Sequence, residues 1–136
     1  MNDEGALVRL KEVIEMSVFV KFETPKELSD KAYSLAEMAR DGGKIKKGTN
    51  EVTKTVERGA AAIVIMATDV EPPEILAHMP ALCEERNVPY VYVPSKIELG
   101  KAIGLDKPAA SVAITDVGKG KAICDEIAQA VQALKN

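Results

Sequence analysis

One stretch of the chain, Lys44 to Gly59 (KIKKGTNEVTKTVERG), holds side chains of the types and spacing that could do recognition chemistry. It reads as a short basic strand, a glycine turn and then a helix. Gly48 lets the backbone turn sharply without a Cβ penalty, and Thr49 or Asn50 is placed to cap the helix. The helix's first free N–H groups, its positive dipole end and Lys44, Lys46 and Lys47 then meet at one corner. Such a corner suits an anion, phosphate above all. Asn50 and Lys54 stand four apart on one helix face, with Glu51 beside them. An amide donates and accepts, a carboxylate only accepts and an ammonium only donates. Together they could read base edges, where lysine or arginine alone would only hold phosphate. A plainer reading fits the same residues: Glu51 complements the dipole, and Glu51–Lys54 is a surface pair worth a few tenths of ~1 kcal/mol.

A frame is needed to hold that corner, and the chain has the length for one domain: 136 residues, 46% hydrophobic and 29% charged. Aromatics are only 4%, so Val, Ile, Leu and Ala must build the core. The formal net charge is −3, which excludes a chain coated in positive charge. Residues 44–58 nonetheless carry five basic side chains (Lys44, Lys46, Lys47, Lys54, Arg58) against two acidic ones (Glu51, Glu57). A basic patch on an acidic body fits a specific RNA site better than indiscriminate coating of nucleic acid. No stretch reaches the length of a membrane span, and no apolar signal region precedes a cleavage site. Cys83 and Cys124 lie in apolar helical patterns, as expected of buried reduced thiols in a cytoplasmic protein. With one histidine, His78, and no CxxC, a zinc site is not expected, nor any other cofactor. His78 is expected to pack or hydrogen-bond on a helix and is given no role.

Along the chain, Leu7, Val8, Leu10, Val13 and Ile14 could form a short amphipathic helix. Residues 1–15 also read as an N-terminal extension that precedes the natural start. Lys11-Glu12-Val13 can be encoded as a ribosome-binding sequence at a suitable distance before Met16. The single domain is then 16–136. Thr24-Pro25-Lys26-Glu27 is a capping box with proline at the first helical position. Leu28, Ala32, Leu35 and Ala39 follow at helical spacing up to Gly42-Gly43. Arg58-Gly59 ends the second helix. Ala60 to Ala67 is a continuous apolar run, as in a strand covered on both faces. Pro72-Pro73 leads into a helix that Pro80 breaks or restarts before Ala81–Arg86, and Val88–Val93 is the next strand. Ser95, with Glu98 at the capping-box position, caps a helix from about Ile97 to Ile103. Gly104–Pro108 is a loop, Ala110–Ile114 a last strand, and Lys121–Leu134 a closing helix with the stripe Ile123, Ile127, Val131 and Leu134. This alternation predicts an α/β fold: a three-layer α/β/α sandwich around a small mixed central sheet.

The run KIKKGTNEVTKTVERG resembles the signature of the archaeal kink-turn-binding large-subunit ribosomal protein family, L-seven-Ae. ATDVEPPEILAHMPALCEERNVPYVYVPSK, ELGKAIGL and PAASVAI agree with it in order and spacing, so the likeness runs from about Val18 to the end. The resemblance implies that Asn50, Glu51 and Lys54 read guanine edges in tandem sheared G·A pairs. Lys44, Lys46, Lys47 and the Gly48-Thr49 backbone would hold phosphates. It also implies that Ile75 packs against an extruded base while Glu71 helps hold that pocket. On residue type alone, Glu71 is equally a solvated dipole partner and Ile75 a core residue. Lys96 is a phosphate contact by resemblance, or a solvated neighbour of the cap. The loop Leu105-Asp106-Lys107-Pro108-Ala109-Ala110 is too apolar for an ordinary surface turn; by itself it divides between a core-facing hairpin and a contact surface. In the family this loop lies against the RNA. Lys107 stands where relatives carry arginine, keeping the charge but losing planar stacking on a base.

The partners implied are ribosomal RNA, box C/D and H/ACA guide RNAs, ribonuclease P RNA and the proteins recruited to them. The free protein is expected to be a monomer without a membrane. Two other classes remain in view. An enzyme would use Gly118-Lys119-Gly120-Lys121 as a phosphate loop, but GKGK lacks the Walker spacing and its Ser/Thr. No paired acid and base or nucleophile–histidine set accompanies it, and a solvated helix start explains it more simply. A ribosomal scaffold of the same fold would lack selectivity for kinked RNA, against which the intact Asn50-Glu51-Lys54 set speaks.

Overall fold

The computed structural model describes residues 19–135; the amphipathic reading of residues 7–14 and the Met16 start lie outside them. Five helices and four strands alternate: α1 (Lys26–Gly42), β1 (Lys44–Lys47), α2 (Thr49–Glu57), β2 (Ile63–Ala67), α3 (Met79–Glu85), β3 (Tyr90–Val93), α4 (Lys96–Ala102), β4 (Ser111–Asp116) and α5 (Lys121–Lys135). Short 3-10 turns at Pro73–Leu76 and Gly118–Gly120 precede α3 and α5.

The strands form one mixed sheet in the order β1-β4-β2-β3, with β2 and β3 parallel and the other pairs antiparallel. Every residue of β2 is buried, which is why that run lacks the polar alternation of a one-sided strand. α1 packs on α4, α5 and β3, while α2 packs on α3, β1 and β4. The result is the expected three-layer α/β/α sandwich. Leu28, Ala32, Leu35 and Ala39 point α1 into the core. Four of the few aromatics, Phe19, Phe22, Tyr90 and Tyr92, gather into one buried cluster with ring centroids 4.9–6.1 Å apart. Such edge-on and tilted contacts suit the ring quadrupoles.

Several helix ends differ from expectation. Pro25, not Thr24, is the N-cap residue of α1, and no side chain caps that helix. The Thr24 hydroxyl is instead buried with no partner among the described residues, so the capping box does not form. Pro80 falls within the first turn of α3, where a missing N–H costs little, and so starts the helix rather than breaking it. In α5 the buried stripe is Cys124, Ile127 and Val131, and Leu134 is 39% exposed. Leu134 lies in the last turn of α5, past the end of that buried stripe. Ser95 caps α4 as expected, accepting a hydrogen bond of 3.1 Å from the Glu98 amide.

Candidate nucleic-acid interface

Gly48 is the pivot between β1 and α2. Its φ of +87° and ψ of 139° are open to glycine and strained for other residues. Its amide donates to the Ser111 carbonyl at 3.4 Å and its carbonyl accepts from Val52 at 2.9 Å, so the turn is tied to β4 and to the helix together. Neither Thr49 nor Asn50 caps α2; both are helical residues, and Gly48 is the N-cap with no side-chain bond. The uncapped first turn leaves its amide groups for water or a ligand, a better anion corner than a capped one.

Val52, Thr55 and Val56 bury one side of α2, which turns Asn50, Glu51 and Lys54 to solvent. Among the described residues no hydrogen bond engages these three side chains, and Glu51 and Lys54 do not form the ion pair that the plainer reading requires. Thr53 and Thr55 turn their hydroxyls back onto the carbonyls of Thr49 and Glu51, each at 2.7 Å. The donor and acceptor capacity of Asn50, Glu51 and Lys54 therefore faces outward.

A series of hydrogen bonds gathers the other candidates at the same end of the sheet. Ala67, at the end of β2, donates to the Ala110 carbonyl at 3.0 Å, one residue from the Ser111 that holds Gly48. Asp69 accepts the Lys96 amide at 2.9 Å, and the Lys96 carbonyl accepts the Ala109 amide at 2.9 Å. Gly48, the start of α2, Lys96, Ala109 and Ala110 thus surround the carboxyl ends of β2 and β3. Lys47 adjoins Gly48, but Lys44 pairs with Asp116 at the far end of β1, three residues and about 10 Å away. Lys46 lies between them, and all three lysines are exposed on an edge strand.

Glu71 is exposed just before the prolines, and Ile75 is 41% exposed on the 3-10 turn. The core reading of Ile75 is excluded because the adjacent Leu76 takes the buried position. The 105–110 loop divides in the same manner. Ala109 is buried, Leu105 and Ala110 pack against the core edge, and Asp106, Lys107 and Pro108 face solvent. Beside it, α4 presents Ile97 at 53% exposure, next to a shallow groove of about 310 Å³ lined by Lys101 and the loop.

Three supporting residues escaped the sequence reading. Asp69 anchors Lys96. Tyr33 on α1 holds the Ser95 turn, its hydroxyl accepting from the Ser95 amide at 3.1 Å and donating to the Ser95 carbonyl at 3.3 Å. Burial raises the Tyr33 pKa above the ordinary phenol value. Gly100 lets the loop pass close against α4. Glycine inside a helical pattern was the available signal for Gly100; spacing offers none for the other two.

The GKGK segment is not a phosphate loop. The Gly118 amide already donates to the Asp116 carboxylate at 2.9 Å. Gly118 also lies against the Gly42-Gly43 backbone and Gly120 against Leu35, so these glycines serve close packing on α1. Gly120 is buried, so the segment is only partly the solvated helix start expected of it.

The family model for the ribosomal protein L7Ae/L30e/S12e/Gadd45 family matches residues 30–124. The solved structure of the Giardia lamblia 15.5kD RNA binding protein is 38% identical, with a TM-score of 0.76, covering 86% of this chain and 97% of that one. The family match spans well over half the chain and takes in every candidate residue from Lys44 to Ala110, so the chain belongs to the L7Ae/L30e/S12e/Gadd45 ribosomal protein family.

Proposed function

We propose that this protein binds RNA and recognises the kink-turn, stabilising its bent form. The observation that carries the reading is the outward set Asn50, Glu51 and Lys54, unpaired among the described residues, beside the uncapped start of α2. The Giardia relative's own name, an RNA binding protein, supports the broader half of it.

A regular A-form major groove is too narrow for side chains, so proteins read RNA at bulges and distortions. A kink beside tandem sheared G·A pairs opens the groove to a helix. Asn50 and Lys54 then donate to guanine O6 and N7, and Glu51 accepts from guanine N–H groups. The Gly48-Thr49 amides and the nearby lysines hold phosphates. Ile75 and the 105–110 loop receive the extruded base, Glu71 helps hold that pocket, and Lys96 adds a phosphate contact. Because these contacts exist only with bent RNA, binding shifts the open–bent equilibrium toward the bent form.

The settings that fit this activity are the large ribosomal subunit, box C/D and H/ACA guide ribonucleoproteins and ribonuclease P, with the protein as a non-catalytic, cytoplasmic component. The test is a kink-turn RNA labelled at both ends, with energy transfer followed in metal-free buffer. Addition of protein brings the ends together if the reading holds. Binding with unchanged end-to-end distance contradicts it.

A further inference from the structure

His78 is the N-cap residue of α3 and its ring is exposed, yet it does not cap the helix with its side chain. Its Nε2 lies 2.8 Å from Thr53 Oγ1. Thr53 Oγ1 in turn lies 2.7 Å from the Thr49 carbonyl, one turn back in α2. A carbonyl can only accept, so the single hydroxyl proton of Thr53 is directed to Thr49. Toward His78 the same oxygen can only accept, and Nε2 must carry a proton. The bonds therefore run one way, from imidazole to hydroxyl to the first-turn carbonyl of α2.

Among the described residues, this is the hydrogen bond that joins α2 to the 68–86 segment. The two segments carry different halves of the candidate interface. Thr53 sits on α2 between Asn50 and Lys54, and His78 follows Ile75 by three residues. Thr55 makes the same bond back to its helix, to Glu51, but Thr55 is buried and has no such outside partner.

We propose that His78 is a positioning residue for RNA recognition, fixing through Thr53 the placement of α2 relative to the Glu71–Ile75 turn. It touches no base in this role; it sets the spacing between the face that reads base edges and the wall that receives the extruded base. The proposal rests on the function proposed above. Because both side chains are reached by water, the bond contributes modestly, and its effect on affinity should be correspondingly modest.

The experiment compares wild type, His78→Ala, His78→Gln, Thr53→Val and the His78→Ala/Thr53→Val double variant. Each is titrated with a kink-turn RNA and with the same RNA lacking its sheared G·A pairs, at two salt concentrations, and each Tm is recorded. His78→Ala and Thr53→Val should each weaken binding to the intact RNA about threefold to tenfold. The slope of log affinity against log salt should stay unchanged, because no phosphate contact is removed. The double variant should bind within about twofold of either single one, the mark of two residues acting as one link. His78→Gln, whose amide N–H can still donate to Thr53, should recover most of the loss. Wild-type affinity in His78→Ala, additive losses in the double variant, or a salt slope reduced by about one unit would each overturn the proposal. The last would mark His78 as a direct phosphate contact. A wild type that binds both RNAs alike overturns the function itself and this role with it. Discrimination by wild type that His78→Ala leaves intact sinks the positioning role alone.

Discussion

Gly100→Ala offers a test of how the 105–110 loop is held. Gly100 lies inside α4, where alanine is intrinsically favoured by about 1 kcal/mol, so helix propensity alone predicts stabilisation. The packing predicts the reverse. A Cβ at this position would stand 2.0 Å from the Lys107 carbonyl oxygen, 3.0 Å from the Lys107 carbonyl carbon and 3.3 Å from Pro108 Cα. All three are backbone atoms that cannot rotate aside. Ordinary contact begins near 3.4 Å, so the loop must retreat by roughly 1.4 Å. Retreat is opposed on both sides: Leu105 donates to the Gly100 carbonyl at 2.8 Å and Ala109 donates to the Lys96 carbonyl at 2.9 Å. Overpacking of this kind costs about 1–3 kcal/mol net, or a fall in Tm of roughly 4–12 °C for a domain of this size. Thermal unfolding measures the stability, and RNA titration measures whether the displaced loop also weakens binding. Lys101→Ala is the control, an exposed neighbour on the same helix expected to change stability by less than about 0.5 kcal/mol. A Gly100→Ala protein as stable as wild type, or more so, would refute the claim that backbone contact with Lys107 fixes the loop.

Three further outcomes follow from the same geometry. Gly48→Ala should destabilise by about 1–3 kcal/mol through backbone strain alone, since no atom lies within 4 Å of its Cβ position. Gly48→Asn should not rescue it, because a ψ of 139° lies outside the left-handed region asparagine tolerates; rescue in denaturant melts would contradict the assigned turn. Ser111→Ala should be neutral or stabilising by up to about 1 kcal/mol, because the buried Ser111 hydroxyl has no partner among the described residues; a clear drop in Tm would reveal a bond to it. Burial pushes the Cys83 thiol up from 9.0 to about 12. The unfolded chain then loses this proton first, so stability is full below pH 9 and declines as pH rises toward 12, at roughly 1.4 kcal/mol per unit at most. Cys83→Ala should flatten that decline in urea midpoints measured between pH 8 and 10.5; an unchanged slope would contradict the assignment.

The layers of the fold were legible because burial leaves a periodic trace. The unbroken apolar run ending at Ala67 reads as a strand covered on both faces, which holds for Ile63–Ala67 but not for the exposed Ala60 and Ala62 before it, and Leu28, Ala32, Leu35 and Ala39 read as one helix face. Helix starts were harder, because Thr24 and Thr49 have the right chemistry for caps but are diverted by their surroundings. Thr24 is turned inward with no partner among the described residues, and Thr49 is absorbed into a helix that Gly48 begins. Within the site, the Asn50-Glu51-Lys54 face was readable from spacing, since one helix sets it. The approach of Lys96, Ala109 and Ala110 to Gly48 was not, because it depends on the strand order β1-β4-β2-β3 and on bonds between residues far apart in sequence. Lys44 shows the converse: close to Lys47 in the chain, it is carried away by the length of β1.

The central claim is that α2 reads base edges rather than merely holding phosphate. The most direct measurement is the affinity of wild type and Asn50→Ala for a kink-turn RNA and for its mutant lacking the sheared G·A pairs, at two salt concentrations. The account predicts that wild type strongly prefers the intact RNA and that Asn50→Ala removes most of that preference. The loss should be about 1–3 kcal/mol with an unchanged salt slope. Equal binding of both RNAs by wild type, varying only with salt, would contradict the account and leave α2 as the phosphate clamp of a ribosomal scaffold.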